Sequence, residues 1–141
     1  MSLRRRAIRG TALVEFALAW PIAVLLALGA VETAVWASES FAARSAALAG
    51  ARAAAAAGGN EDLAVTVTQR VLAPSLVGVS ASAWCPGESK QPPALWVCGR
   101  DLGASMQVEI GGEVPAIVPL VEEGGLPLHV RVVVQKEVFA K

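Results

Sequence analysis

The chain has 141 residues, enough for one domain, and hydrophobic residues make up 55% of it. Twelve basic and twelve acidic residues give a formal net charge of zero. The charges are unevenly placed, because four arginines precede Gly10 and all twelve acidic residues follow it. The part after Gly10 therefore carries a balance of −4. This balance argues against a nucleic-acid partner, because phosphate binding needs a basic face.

The N-terminal end combines a basic cluster with a long apolar run. Residues 16–31 contain no charged side chain. As a helix, residues 11–36 would extend about 39 Å at ~1.5 Å per residue, more than the roughly 30 Å of a bilayer's hydrocarbon core. The positive-inside rule places the N-terminus in the cytoplasm and the rest of the chain outside. The arginines that set this orientation are Arg4, Arg5, Arg6 and Arg9.

One carboxylate, Glu15, interrupts the apolar run. A charge inside a bilayer costs on the order of 2.5 kcal/mol or more near the centre, so such a residue is a candidate functional group. Glu15 is the fifth residue counted from Thr11, and residues four apart share a helix face. An amine created at Thr11 by cleavage after Gly10 would lie one turn from this carboxylate. It could pair within the chain or with a neighbouring subunit.

Residues 9–17 (RGTALVEFA) resemble the processing site of type IV pilin-like proteins. In that family a prepilin peptidase cuts after a glycine, and a glutamate stands at the fifth position of the mature chain. The resemblance assigns these roles to Gly10, Thr11 and Glu15. Phe16 resembles the aromatic residue of the Glu-Phe or Glu-Tyr pair in the Tad pilus subfamily, so the chain is similar to TadE-like minor pilins (pseudopilins).

The resemblance implies a structural or assembly subunit of a Tad-type type IV pilus or a related secretion apparatus, and not an enzyme. The implied partners are the membrane, prepilin peptidase, other pilin-like subunits and the pilus assembly machinery. The implied location is the bacterial inner membrane, with the head in the periplasm. Incorporation into an extracellular pilus, capping of its tip and retention in the membrane all stay open, as does the target of any adhesion.

Two alternatives stay open beside the pilin interpretation. In the first, the segment is an uncleaved single-pass anchor with Glu15 at the membrane edge, and the chain is a periplasmic binding or sensor protein. In the second, residues 35–37 form a signal-peptidase site and the chain is secreted. This second alternative requires a long apolar region that contains both Glu15 and Pro21.

The predicted architecture is α+β, with a pilin-like stem and a small head. Residues 1–10 form a basic leader, residues 11–57 a long transmembrane and stem helix, and residues 58–141 a globular head outside the membrane. Pro21 is predicted to kink the helix, because it removes the bond to the carbonyl four residues earlier. Alanine-rich sequence continues the helix until the two glycines that follow Ala57.

The head is predicted to contain a short helix and an antiparallel sheet of three or four strands, packed on the upper part of the long helix. Asn60 is the expected N-cap of the short helix, which extends to about residue 73. Prolines in residues 114–120 exclude a central strand there. In the last strand His129, Arg131, Gln135 and Glu137 share one parity, and His129 is interpreted as a strand residue that faces solvent or a partner. The segments with strand features are residues 76–84, 94–98, 105–110 and 128–139.

Cys85 and Cys98 flank a loop rich in proline, glycine and serine. In an oxidising compartment such a pair normally forms a disulfide. Free thiols are the alternative, and a metal site would need more ligands than two cysteines. The sequence has one histidine, no glycine-rich phosphate loop, no Ser-His-Asp set and no H-E-x-x-H pattern. It therefore predicts no catalytic residue, no metal and no cofactor.

Overall fold

The structure is a computed structural model that describes residues 4–117 and 124–136, with side chains from residue 13 onward. Two helices and four strands make up the described chain, so the predicted α+β class is confirmed. The chain forms two compact units, Met1–Ala34 and Val35–Lys141. The elements are α1 (Arg4–Ala56), α2 (Glu61–Leu72), a 3-10 turn (Ala73–Ser75), β1 (Ser82–Ala83), β2 (Leu95–Asp101), β3 (Ser105–Val114) and β4 (Leu126–Gln135).

Helix α1 begins earlier than the sequence predicted. It includes residues 4–10 of the expected leader, because arginine, alanine and isoleucine all tolerate helical geometry. The helix includes Pro21, and a kink at this proline stays a prediction. Gly58 and Gly59 have φ of 79° and 100°, and the Gly59 N–H donates to the Ala54 carbonyl at 2.9 Å. These left-handed glycines end the helix as predicted.

The first unit exposes its apolar side chains. Among the described residues α1 is one helix long and apolar enough to cross a membrane, with a mean hydropathy of 2.1 and none of that window buried. Leu13 and Leu26 are each 71% exposed. A continuous apolar surface of this kind needs a partner or a lipid environment, since soluble monomers rarely expose one. The other strongly exposed apolar side chains include Val14, Phe16, Leu18, Trp20 and Ile22.

The second unit has one hydrophobic core, formed by the small residues of α1 and the large residues of the sheet. Alanine side chains let the helix approach closely, while valine, leucine, isoleucine and methionine on the strands supply most of the buried volume. The fully buried members from α1 are Ala43, Ala46, Ala47, Ala51 and Ala54, and those from the strands are Leu95, Val97, Met106, Val108, Ile110 and Val114.

Helix α2 begins as the sequence predicted. The Asn60 side chain accepts a hydrogen bond from the Leu63 N–H at 2.9 Å, which is the expected N-cap geometry. Thr68 is buried and donates from its hydroxyl to the Ala64 carbonyl at 2.7 Å. A Cβ added to Gly50 of α1 would overlap this hydroxyl and the Ala64 carbonyl. The backbones of α1 and α2 therefore approach closely at Gly50.

The sheet has the order β1-β2-β3-β4. The pairs β2–β3 and β3–β4 are antiparallel, as predicted. The prediction for the first strand was wrong in length and direction, because β1 has two residues and pairs parallel with β2. Gly78, with φ of 73°, interrupts the alternating segment that suggested a longer strand. An eleven-residue loop then returns the chain to start β2 beside β1 in the same direction.

Strand β3 extends four residues beyond its predicted end at Ile110. A Cβ at Gly111 would overlap the Trp96 indole, so this glycine makes room for the ring on the sheet. Gly112, with φ of 132°, lies against the Ala94 carbonyl, which accepts from the Glu113 N–H at 2.7 Å. The two glycines therefore serve close approach within the sheet and do not end the strand.

Strand β4 begins two residues before its predicted start and includes Pro127. A proline is compatible with this position because β4 is an edge strand in the described sheet. The burial pattern alternates along the strand, with Leu128 buried and His129 and Arg131 exposed, as the predicted parity requires. Residues 137–139 of the predicted strand and residues 118–120 of the proline-containing segment lie outside the described residues.

Cys85 and Cys98 form a disulfide, as predicted. The Cys98 side chain is buried in β2, so the bond ties the loop after β1 to the interior of the sheet. The Trp84 indole lies edge-on to Trp96 with ring centroids 5.4 Å apart, and its N–H donates to the Lys90 carbonyl at 3.1 Å. The disulfide and this aromatic pair hold the loop over one side of the sheet.

We predict that Gly50→Ala destabilises the head by about 1–3 kcal/mol through overpacking. The obstacle is the backbone carbonyl of Ala64, which cannot rotate away as a flexible side chain would. The helix propensity of alanine offsets about 1 kcal/mol of the loss. Denaturant unfolding of the detergent-solubilised chain measures the effect. Gly29→Ala is the matched control, because nothing lies within 4 Å of its added Cβ; equal midpoints for the two variants would contradict the prediction.

We predict that Cys85→Ser lowers the stability of the head by roughly 2–3 kcal/mol, because it opens a loop of about a dozen residues. Membrane insertion should be unchanged, since the apolar part of α1 does not depend on the disulfide. Thiol labelling of the denatured, non-reduced wild-type protein should find no free cysteine. Stoichiometric labelling of both Cys85 and Cys98 in the exported wild type would show that the bond is absent.

Candidate functional site

The predicted processing residues lie on α1. Gly10 and Thr11 are helical in the described chain, and Glu15 follows Thr11 by one turn, so their backbone positions share a face. The Glu15 side chain is exposed. Phe16 stacks on Trp20, with ring centroids 6.0 Å apart and ring planes at 23°. The segment thus presents an exposed carboxylate beside an aromatic pair.

The remaining predicted site residues lie in two other places. Pro21 follows the aromatic pair on α1. Cys85 and Cys98 lie in the second unit, where they form the disulfide. Within the described residues no group of three or more histidine, cysteine or acidic side chains is placed to hold a metal ion.

The outward face of the sheet carries paired polar side chains. His129 Nε2 lies 2.8 Å from Glu109 Oε1, and Arg131 Nη2 donates to Gln107 Oε1 at 2.6 Å. Gln107 is buried, so this bond supplies the partner that a buried amide needs. The sequence assigned His129 to a face open to solvent or a partner, and its side chain is 65% exposed.

A second charged cluster joins the ends of three elements. Lys136 Nζ lies 2.6 and 2.7 Å from the two carboxylate oxygens of Asp101 and donates to the Gly58 carbonyl at 3.4 Å. The Gly103 N–H also donates to Asp101, at 2.8 Å. The Lys136 hydrogen bond, and then that of Gly103, hold the pKa of the Asp101 carboxyl below its ordinary value. The cluster fastens the turn after α1 to the ends of β2 and β4.

Two cavities, of about 500 Å³ and about 350 Å³, lie between α1 and β4 in the second unit. We call the two together the groove. Trp36 lies at one end of the groove, where its indole N–H donates to the Pro127 carbonyl at 3.1 Å. The larger cavity is lined by Trp36, Ala37, Ser40, Phe41, Arg44, His129, Val130 and Arg131, and the smaller by Arg52, Ala55, Ala56, Val134 and Gln135.

The sequence interpretation missed this groove. Its walls come from residues almost a hundred positions apart, and only the fold brings them together. A partial signal was present, because Trp36 and Arg44 lie two turns apart on α1 and so share a face. His129 and Arg131 also shared the predicted outward parity. Neither pattern alone indicated that this face of α1 lies next to β4.

The comparison with protein families gives a match within α1. Residues 10–52 match the family model described as TadE-like protein. A comparison with curated proteins gave no match, and a comparison with solved structures gave none either. The matched range begins at Gly10 and includes Glu15, Phe16 and Gly50. Residues 10–52 are thus similar to TadE-like proteins, the family that the processing-site pattern indicated.

Proposed function

We propose that this chain is a minor pilin or pseudopilin, a structural and assembly subunit of a Tad-type pilus or a related secretion apparatus. A prepilin peptidase cuts it after Gly10, and α1 then holds it among the helices of other subunits. The observation that carries the proposal is the TadE-like match that begins at Gly10 and covers the apolar helix.

The exposed apolar surface of α1 supports a role in which helices pack together. Side chains such as Leu13, Leu18 and Leu26 make no covering contact with the rest of the described chain. Lipid can surround them before assembly, and neighbouring helices can replace lipid afterwards. A structural subunit needs this kind of surface, whereas an enzyme needs convergent chemical groups.

The four arginines before Gly10 support a cytoplasmic N-terminus, and the disulfide supports an oxidising compartment for the head. We therefore place the anchor in the bacterial inner membrane and the head in the periplasm. The leader is residues 1–10, the stem is residues 11–57, and the head is residues 58–141. The partners are the peptidase, other pilin-like subunits and the assembly machinery.

Glu15 is the residue to which we assign the assembly step. Cleavage would give Thr11 an amine with a reference pKa of about 7.7–8.0, so the amine is largely cationic near neutral pH. Water is scarce in the membrane, and pairing the amine with a carboxylate offsets part of the desolvation cost of both charges. A subunit that brings its amine to an uncompensated Glu15 of a neighbour is thereby guided into register.

The two alternatives differ from this proposal in the N-terminus of the mature protein. An uncleaved anchor retains the leader, and a secreted protein begins after the apolar segment. We predict that the protein recovered from membranes begins at Thr11 and that Gly10→Leu leaves the full-length form. Intact mass spectrometry measures both.

Gly29→Leu is the matched control for this substitution, since Gly29 is another helical glycine with open space around it. Its N-terminus should be the same as that of the wild type. Retention of Met1 or Ser2 in the wild type would contradict processing, and a start at Ser38 would assign the chain to the secreted alternative.

We predict that Glu15→Gln and Glu15→Leu insert and are cleaved normally but reduce assembly about tenfold or more, the factor that corresponds to about 1.4 kcal/mol. Both substitutions remove the charge, and Glu15→Leu also removes a polar group from lipid, so insertion should not suffer. Co-purification with other pilin-like subunits and pilus counts in cells measure assembly.

Glu15→Asp is the matched control for the charge, because it keeps a carboxylate one methylene nearer the backbone. It should assemble better than either neutral variant. Normal assembly by Glu15→Leu would show that the carboxylate has no part in assembly and would favour the uncleaved-anchor alternative.

A further inference from the structure

The outer edge of β4 carries backbone groups that no strand of the described chain pairs with. In an antiparallel ladder, alternate residues direct both their N–H and C=O groups to the same neighbour. The Lys136 N–H donates to the Ala104 carbonyl of the segment leading into β3, so even-numbered residues of β4 face β3. The odd-numbered residues therefore direct their backbone groups away from the sheet.

Two contacts agree with this assignment. The Glu113 N–H of β3 donates to the Ala94 carbonyl on the β2 side, so odd-numbered residues of β3 face away from β4. The Pro127 carbonyl accepts the Trp36 indole at 3.1 Å, outside the sheet. Trp36 covers the first outward carbonyl. The outward edge is then available along the four following odd-numbered residues, His129, Arg131, Val133 and Gln135.

The groove lies along this edge. Its larger cavity contacts β4 at residues 129–131 and its smaller cavity at residues 134–135, so the two follow the direction of the strand. Phe41 on the α1 wall is 77% exposed. A strand added to β4 would place alternate side chains over this wall.

The charge of the groove is basic. Arg44, Arg52 and Arg131 line its cavities, and no carboxylate lines them among the described residues. Arg131 donates to a neutral partner, Gln107, and the carboxylate of its cross-strand neighbour Glu109 lies 2.8 Å from His129 instead. Within the described part of the chain no ion pair involves Arg44 or Arg52. Arginine and aromatic side chains are the groups most enriched in binding surfaces.

The same charges disfavour a second copy of this edge as the occupant. Antiparallel pairing of β4 with its own copy, centred on Arg131, would bring Arg131 of one chain beside Arg131 of the other. Like charges on neighbouring strands are destabilising. An acidic segment would meet Arg44 and Arg131 at the larger cavity and Arg52 at the smaller one.

We propose that the β4 edge and its groove form a peptide-binding site, in which an extended acidic segment of a partner protein adds as a further strand of the sheet. The main-chain groups of β4 supply hydrogen bonds, and Arg44, Arg52 and Arg131 select for carboxylates. This site goes beyond the pilin-like function and does not depend on cleavage after Gly10.

Fluorescence anisotropy of the full chain in detergent tests the proposal with labelled ten-residue peptides. A peptide of alternating valine and glutamate should bind at least about tenfold more tightly than one of alternating valine and lysine. Arg44→Gln combined with Arg131→Gln should weaken the glutamate peptide about tenfold or more. Arg70→Gln on α2, outside both cavities, should leave binding unchanged. Equal binding of the two peptides would overturn the proposal.

N-methylation of the peptide separates strand addition from simple charge attraction. Successive residues of a strand direct their N–H groups to opposite sides, so methylating one alternate set should weaken binding about tenfold or more. Methylating the other set should change it less than about twofold. Equal effects of the two sets would show that no strand is added.

Val133→Pro tests the same hydrogen bonds on the protein, because the Val133 N–H points away from β3. It should weaken binding about tenfold, while Val133→Thr should not, and unchanged circular dichroism and disulfide content show that each variant is folded. Two other outcomes overturn the proposal. One is that soluble phosphatidylglycerol displaces the peptide while the two N-methylated peptides bind equally. The other is a dimer of the chain that Val133→Pro abolishes.

Discussion

The close contact of α1 with the head rests on the small size of the α1 side chains that face the core. Ala43, Ala47, Ala51 and Ala54 are fully buried, and none brings more than a methyl group to the contact. Gly50 goes further, since even a methyl group there would overlap Thr68 and the Ala64 carbonyl. The large apolar side chains of the sheet can then fill the remaining space. Larger side chains on this face of α1 would push α2 and the sheet away from the helix.

The same helix meets a different requirement in the first unit. Around Leu13 and Leu26 its apolar side chains point outward, and the most hydropathic window has none of its residues buried. The two parts of α1 thus differ in composition and exposure. The part around Leu13 and Leu26 has large exposed apolar side chains, and the part from Ala43 to Ala54 has small buried ones. The match to the TadE-like family covers residues 10–52 and so includes both parts. It therefore contains the exposed apolar residues together with the small residues that pack in the core.

The two edges of the sheet, at β1 and β4, are covered to different extents by the rest of the chain. Near β1 the chain is held by the disulfide, by the Trp84–Trp96 pair and by the glycine that makes room for Trp96. At β4 the described chain supplies one such cover, the Trp36 indole on the Pro127 carbonyl. Natural sheets usually protect an edge with proline and charge. Pro127 and Arg131 give partial protection here, and their positions leave the edge accessible to a partner of opposite charge.

The sequence by itself determined the features that depend on local chemistry. The apolar run with Glu15, the glycines after Ala57, the Asn60 cap and the alternation from Leu128 to Gln135 each indicated their structure, because periodicity, capping and backbone freedom act within a few residues. The disulfide was also predictable, since two cysteines beside one loop have little choice of partner. The family resemblance rested on the same kind of local pattern.

Only the tertiary structure decided how distant segments meet. The parallel pairing of β1 could not be read from its small alternating residues, because strand direction depends on the path of the loop and on the disulfide. Gly111 and Gly112 suggested a strand end, and only the position of Trp96 shows that they permit close packing. Arg44 and Arg131 are 87 residues apart in the sequence, and only the fold places both in the lining of one cavity. Local patterns do not carry such contacts, because the packing of the whole core sets them.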